Sequence, residues 1–256
     1  MRFGMCVQNP QIDFIDEIAA LGYDYIEGRF NLFTDCDEEL VEKMRAALER
    51  TGLKCEACNC FIPGNLKLTG DEVDEEALKA HIEKGMSGAS KLGCKIVVFG
   101  SGGARNIPDT ISRERGQEQI VHFLRDIVAP IAKKYDITVV TEPLKSSETN
   151  VLNTVKEAVE MADIVGSENI ASLGDLYHMY AENETPESLL PYVGKVKHCH
   201  IAEVMTRNYP AEGDEYDYKR FIDAMEKIGC ERCSVEGRTD DYIGDSKKSI
   251  ELLRKL

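Results

Sequence analysis

No stretch of the 256-residue chain approaches the roughly 20 consecutive apolar residues that a membrane-spanning helix needs, so neither a span nor a membrane partner is expected. Positive charge is scarce. Against 46 Asp and Glu stand only 31 Lys and Arg, and a formal net charge of −15 repels polyanions, whereas nucleic-acid binders present basic surfaces. Nucleic acid is therefore not an expected partner. A G-x-G-x-x-G turn after the first strands is also missing, which argues against a nicotinamide cofactor. No Pro/Gly-rich linker or low-complexity tract divides residues 1–256, which read as one domain. The opening Met-Arg-Phe-Gly-Met-Cys-Val-Gln turns polar too soon for a secretory h-region, so a cytoplasmic location is expected and the nine cysteines read as reduced thiols.

What is present is a steady alternation of short β-rich runs and longer amphipathic ones, the pattern of a parallel α/β fold. The expected strands are Arg2–Val7, Tyr23–Glu27, Lys54–Cys60, Lys95–Gly100, Ile137–Glu142, Ile170–Asp175, Val196–Ile201 and Arg232–Glu236. Between them, Glu38–Thr51, Asp74–Leu92, Ser112–Tyr135, Thr154–Val165 and Tyr216–Ile228 repeat apolar residues at helical spacing. Gly22, Gly52, Gly93 and Gly229 follow helical stretches where a left-handed cap requires glycine. Eight strands in a chain of this length favour a closed (β/α)₈ TIM barrel over an open doubly wound sheet.

Four residues with metal-ligating side chains fall at the ends of consecutive expected strands: Glu142, Asp175, His200 and Glu236. Their separations of 33, 25 and 36 residues match one strand-helix unit each, which places all four at the C-terminal mouth, where barrel enzymes build their sites. Three carboxylates gathered there repel one another unless a divalent cation compensates them. One imidazole with oxygen ligands favours Mn²⁺, with Mg²⁺, Co²⁺ or Zn²⁺ as alternatives. Cys55-x-x-Cys58-x-Cys60 and Cys230-x-x-Cys233 evoke a structural zinc site, but lie too far apart in sequence for the usual spacing.

At these positions the sequence resembles the xylose isomerase-like barrels, and within them the ketose 3-epimerases acting on D-tagatose and D-psicose. The likeness is carried by Glu142-Pro-Leu-Lys-Ser-Ser-Glu148-Thr-Asn150, Asp175-Leu-Tyr-His178-Met, His198-Cys-His200-Ile-Ala-Glu203 and Val235-Glu236-Gly237, supported by Asn59-Cys-Phe-Ile-Pro63 and Phe99-Gly-Ser-Gly-Gly-Ala-Arg105. The resemblance implies one metal held by Glu142, Asp175, His200 and Glu236, with Glu142 and Glu236 doubling as catalytic acid/base groups. It also implies that Glu148 and His178 touch the hydroxyls of a small sugar. The family places a substrate-binding arginine six residues after the metal histidine, whereas Arg207 stands seven after His200.

Epimerisation needs a proton-transfer group on each face of a planar intermediate, and Glu142 and Glu236 on the fifth and eighth strands can flank one. Shuttling a proton along one face would make an aldose-ketose isomerase from nearly the same site. Sugar-phosphate epimerases, hydroxypyruvate isomerases and inosose dehydratases are the nearer alternatives, and a non-catalytic sugar-binding protein a further one. An endonuclease IV-type enzyme needs additional histidine ligands, and the chain has only five histidines, of which His81 and His122 fall in helical patterns. His198, two residues before His200 and deeper on the same strand face, reads as a hydrogen-bonded core histidine. The Gly100–Arg105 loop reads as a tight turn or an anion cradle, with Arg105 at the rim. Exposed barrel helices are compatible with a homodimer or homotetramer.

Overall fold

A computed structural model describes residues 1–35 and 37–256; Cys36, one of the nine cysteines, lies outside the described residues, and the eight others are free thiols. Eight strands run parallel in sequence order and close into a barrel: β1 (Arg2–Cys6), β2 (Tyr25–Arg29), β3 (Cys55–Asn59), β4 (Ile96–Phe99), β5 (Thr138–Thr141), β6 (Ile170–Asp175), β7 (Val196–Ile201) and β8 (Arg232–Val235). Closure is made by β8 on β1, with Arg2 to Met5 paired to Arg232 to Val235. Among the described residues no helix is long and apolar enough to cross a membrane.

The outer helices arise where the apolar periodicity demands them, and their ends carry the expected chemistry. Glu38–Thr51 starts on an Asp37 cap and ends on Gly52 at φ 78°. Glu75–Lys91 is capped by Asp74, and Val155–Val165 opens with a reciprocal Thr154/Glu157 capping box. The expected Ser112–Tyr135 helix is interrupted: Arg113–His122 and Ala129–Lys134 are joined by a widened π turn over Phe123–Val128. Pro130 explains it, because its missing N–H and its ring do not fit the regular ladder, and the wider turn takes up the mismatch.

Strand β2 departs from expectation in a way that bears on the site. It begins at Tyr25 rather than Tyr23 and continues to Arg29. Gly22 turns at φ 91°, the Tyr23 ring is buried with its hydroxyl on the Ser246 carbonyl, and the β1 ladder starts only at Tyr25 opposite Gly4. Glu27 is consequently inside the barrel instead of at the strand end, and Arg29 takes the position above it.

The barrel lumen is filled in layers. At its lower end Glu56 accepts from both Arg2 nitrogens at 2.6 Å and from Arg232 at 2.9 Å. The middle is an apolar cluster of Tyr25, Ala57, Ile96, Val98, Val140, Ala171 and Leu173, with the Tyr25 hydroxyl 3.0 Å from Ser234 Oγ. Gly4 is required there, since a Cβ at that position would lie 2.2 Å from the Tyr25 ring. The polar upper layer is the candidate site.

Candidate functional site at the barrel mouth

Glu142 follows β5, Asp175 ends β6, His200 lies near the end of β7 and Glu236 follows β8. One ligand atom from each lies within 4.8 Å of the others. The imidazole Nδ1 of His200 is the hub, at 3.0 Å from Glu142 Oε1, 3.4 Å from Glu236 Oε2 and 3.7 Å from Asp175 Oδ2. Gly100, at the end of β4, leaves room for this arrangement: a Cβ there would stand 2.3 Å from Glu142 Oε2.

Burial alone would discharge these groups, and their neighbours decide which stay charged. For Glu142 burial wins, reinforced by the nearby charges of Glu236 and Asp175, and its pKa rises above the ordinary value despite His200. For Glu236 burial is outweighed by His200 and Arg207, and the pKa falls. For Asp175 burial is likewise overcome, by His178, His200 and Arg207, and its pKa falls strongly. Burial opposes a charge on His200, but Glu27 and Glu236, with hydrogen bonds to Asp175 and Glu142, hold its pKa well above the usual imidazole value. The two glutamates thus share one centre with their acidities displaced in opposite directions.

The further residues singled out in the sequence converge on the same mouth. His178 is buried; its main-chain N–H donates to Asp175 Oδ1 at 3.0 Å and its Nδ1 accepts from the Lys145 N–H at 3.2 Å. Its Nε2 therefore carries the proton, and that atom is buried with no partner among the described residues. Arg207 adopts a left-handed backbone conformation at φ 61°, which absorbs the additional residue in the loop after β7. Its guanidinium reaches Glu236 at 2.9 Å, approaches Glu148 at 3.9 Å and lies 5.1 Å from the Tyr177 ring centroid. Glu148 is half-exposed, with Lys145 at 3.5 Å.

His198, expected in the core, and Arg105, expected at the rim, fare differently. His198 is fully buried, with Nε2 at 2.8 Å from Glu27 and 3.3 Å from Ser234 Oγ, in keeping with a core histidine. Arg105 is not at the rim. It is completely buried and donates to the carbonyls of Phe99 (3.0 Å), Glu142 (2.9 Å) and Leu152 (3.2 Å), tying the ends of β4 and β5 to the segment that carries Glu148. Burial brings its pKa down to about 10. Short loops expose their carbonyls at strand ends, and here a side chain satisfies three of them. The thiols of Cys55 and Cys58 are 3.7 Å apart beneath β3, while Cys230 and Cys233 group with Cys199 beneath β7 and β8, so the pairs occupy different sectors of the barrel.

Sequence reasoning overlooked Glu27. Fully buried, it bridges two histidines, with Oε2 at 2.8 Å from His198 Nε2 and Oε1 at 3.0 Å from His200 Nε2. Burial raises its pKa, but the two imidazoles overcome that and drive it far below the ordinary value. Asn59, at the end of β3, also joins the centre: its Nδ2 donates to Glu236 Oε1 at 3.3 Å and its Oδ1 has no partner among the described residues.

A closed parallel barrel with three carboxylates and an imidazole converging on one point at its mouth defines a TIM-barrel protein with a polar centre of metal-binding composition. Residues 15–256 match the xylose isomerase-like TIM-barrel family, to which the chain belongs. It is 24% identical to D-psicose 3-epimerase of Agrobacterium fabrum over 208 residues, which cover 78% of this chain and 70% of the relative. It is 28% identical to hydroxypyruvate isomerase of Escherichia coli over 142 residues, covering 54% of this chain and 55% of the relative. A crystal structure of D-psicose 3-epimerase with D-tagatose from Clostridium cellulolyticum H10 aligns with a TM-score of 0.85 at 16% identity, over 100% of this chain and 99% of that one, a likeness of fold.

Proposed function

We propose that the protein is a divalent-metal-dependent ketose 3-epimerase, with one ion, Mn²⁺ before Mg²⁺, Co²⁺ or Zn²⁺, held by Glu142, Asp175, His200 and Glu236. The observation that carries the proposal is the convergence of these four ligand atoms within 4.8 Å. The donor set fits such an ion, because three carboxylates and one imidazole offer hard oxygens, a nitrogen and a negative charge that needs a cation. A bound divalent ion would supply Lewis acidity for the negative charge that grows on a carbonyl oxygen as the adjacent C–H loses its proton.

The chain's own groups account for the rest. Glu236, kept ionised beside Arg207 at 2.9 Å, is the base that removes the C3 proton in one direction. Glu142, whose burial favours its protonated form, returns a proton from the opposite side, and the roles exchange in the reverse direction. The unpartnered Nε2–H of His178 donates to a substrate hydroxyl, while Glu148 and Arg207 bound the same end of the pocket. Glu27 fixes the imidazole of His200 so that Nδ1 faces the carboxylates.

A second reading, isomerisation of a short hydroxy-keto acid by proton transfer along one face, is favoured by the similarity to hydroxypyruvate isomerase. Incubating metal-loaded protein with a panel of ketoses and keto acids in D₂O separates the two. Deuterium at C3 with inversion supports epimerisation; deuterium at C1 or C2 without inversion supports isomerisation. Failure of every substrate to exchange would sink both.

A further inference from the structure

Among the described residues, the charged side chains in the barrel lumen have partners, with one exception. Glu27 is held by two histidines, Glu56 by two arginines, and Glu236 by Arg207 and His200. Arg29, next above Glu27 on β2, makes no ion pair among the described residues, and its Nε is buried without a hydrogen-bond partner. Beside its guanidinium lies the Cys60 thiol, a weak acceptor. A half-buried guanidinium with no carboxylate paired to it is open to an anionic ligand that would complete its hydrogen bonding.

Its surroundings show where such a ligand would lie. Arg29, Gln8, Asn59, Cys60, Tyr209 and Glu236 line a recess of about 80 Å³. Asn59 adds a second unsatisfied polar atom, its buried Oδ1. Glu236 belongs both to this recess and to the ligand cluster, so a molecule seated over the cluster extends one end toward Arg29. The opposite side of the mouth, over β5 to β7, is occupied by Glu148, His178 and Arg207. The two ends of the pocket therefore differ in chemistry: on one side His178 and Glu148 stand with an arginine already paired to Glu236, on the other lies Arg29 with no ion pair among the described residues.

We propose that the substrate carries a terminal carboxylate bound by Arg29, making it a keto-sugar acid rather than a neutral ketose. This rests on the proposed ketose chemistry and names its substrate class. A carboxylate suits the recess better than a phosphate does. The planar guanidinium fork matches two carboxylate oxygens, whereas a doubly charged phosphate ordinarily recruits a nest of N–H donors, and the space here admits only a small group.

The test compares wild type, Arg29→Met and Arg29→Lys, each loaded with Mn²⁺, on 2-keto-D-gluconate and 5-keto-D-gluconate against D-fructose and D-tagatose, reading deuterium incorporation from D₂O. Calorimetry with the non-reacting pair D-gluconate and sorbitol runs in parallel. Wild type is expected to prefer at least one keto acid by tenfold or more in kcat/KM. Arg29→Met is expected to lower the acid-to-neutral ratio roughly ten- to hundredfold, chiefly through KM, with Arg29→Lys in between. Circular dichroism and Mn²⁺ titration verify that the variants fold and load. Equal rates on acids and neutral ketoses in wild type, or an unchanged ratio in Arg29→Met, overturns the assignment. So does a variant that loses Mn²⁺ affinity with its ratio intact, because Arg29 would then only balance charge. If no ketose of either kind exchanges, Arg29-dependent binding of gluconate but not sorbitol upholds the carboxylate site and refutes only the epimerase reading. Equal gluconate binding by wild type and Arg29→Met refutes the site itself.

Discussion

Replacing Glu27 with Gln probes the architecture at a residue outside the four-ligand set. The substitution keeps size and packing but exchanges one acceptor oxygen for an NH₂ donor. In the wild type both carboxylate oxygens face imidazole Nε2 atoms, at 2.8 Å for His198 and 3.0 Å for His200, so both rings carry their proton on Nε2 when neutral. That leaves the Nδ1 lone pair of His200 free among the three carboxylates, 3.0 to 3.7 Å away. A glutamine can accept from only one ring, and its NH₂ must find a lone pair on the other. If His200 yields, its proton moves to Nδ1 and the ligand atom is lost. If His198 yields, an N–H appears at its Nδ1, which is buried with no partner among the described residues. Either route is costly, and loss of such a carboxylate-histidine partner typically weakens metal binding 10- to 100-fold, about 1.4 to 2.7 kcal/mol. Isothermal titration of Mn²⁺ into metal-stripped Glu27→Gln and wild-type protein measures it directly. An affinity within twofold of wild type, in a variant with an unchanged thermal midpoint, would refute the claim that Glu27 sets the tautomer of His200.

Three further outcomes follow from the geometry. Because His200 binds a proton well above the usual imidazole pKa when no ion competes, Mn²⁺ uptake should release about one proton, and affinity should rise about tenfold per pH unit until the pH passes that pKa; heats measured in buffers of different ionisation enthalpy check this. Gly100→Ala places a methyl 2.3 Å from Glu142 Oε2 and should lower Mn²⁺ affinity at least tenfold by displacing that carboxylate, while equal affinity would show that the pocket has slack. At the far end of the barrel, Glu56→Gln should cost about 2 kcal/mol at neutral pH, a value already discounted because Arg2 is 43% exposed. The pKa of Glu56 is depressed: burial raises it, but hydrogen bonds from Arg2 and Arg232 overcome that. Its contribution is therefore present above the ordinary glutamate pKa and lost as pH falls through the lowered folded value, so denaturation curves of wild type and variant should converge in acid.

The parts of this molecule that were legible in its sequence are those written in periodic or phased patterns. Glu142, Asp175, His200 and Glu236 recur at the spacing of a strand-helix unit, and the structure gathers all four because each unit rotates the chain by one strand around the barrel. Gly22, Gly52, Gly93 and Gly229 all have positive φ, since a helix turning back into a strand leaves its last residue left-handed. Glu27 escaped because a shift of two residues in β2 separates a strand-end acid from one buried beneath the mouth, and nothing local distinguishes Tyr23 from Tyr25 as the first strand residue. Arg105 escaped for a different reason. Its role is to satisfy three carbonyls from two separate connections, a debt visible only when β4 and β5 lie side by side. Arg207 was legible as a candidate, but its reach depended on a backbone φ of 61° that no spacing rule supplies.

The central claim is that Glu142 and Glu236 act on opposite faces of one substrate carbon. At saturating Mn²⁺, deuterium wash-in from D₂O is to be followed from each of two C3 epimers separately, with wild type, Glu142→Gln and Glu236→Gln. Wild type should label and interconvert both epimers. Each variant should lose interconversion by at least a thousandfold yet retain exchange from one epimer only, a different epimer for each variant. Interconversion that survives in either variant, or exchange that vanishes or persists identically for both epimers in both variants, would contradict the two-face assignment.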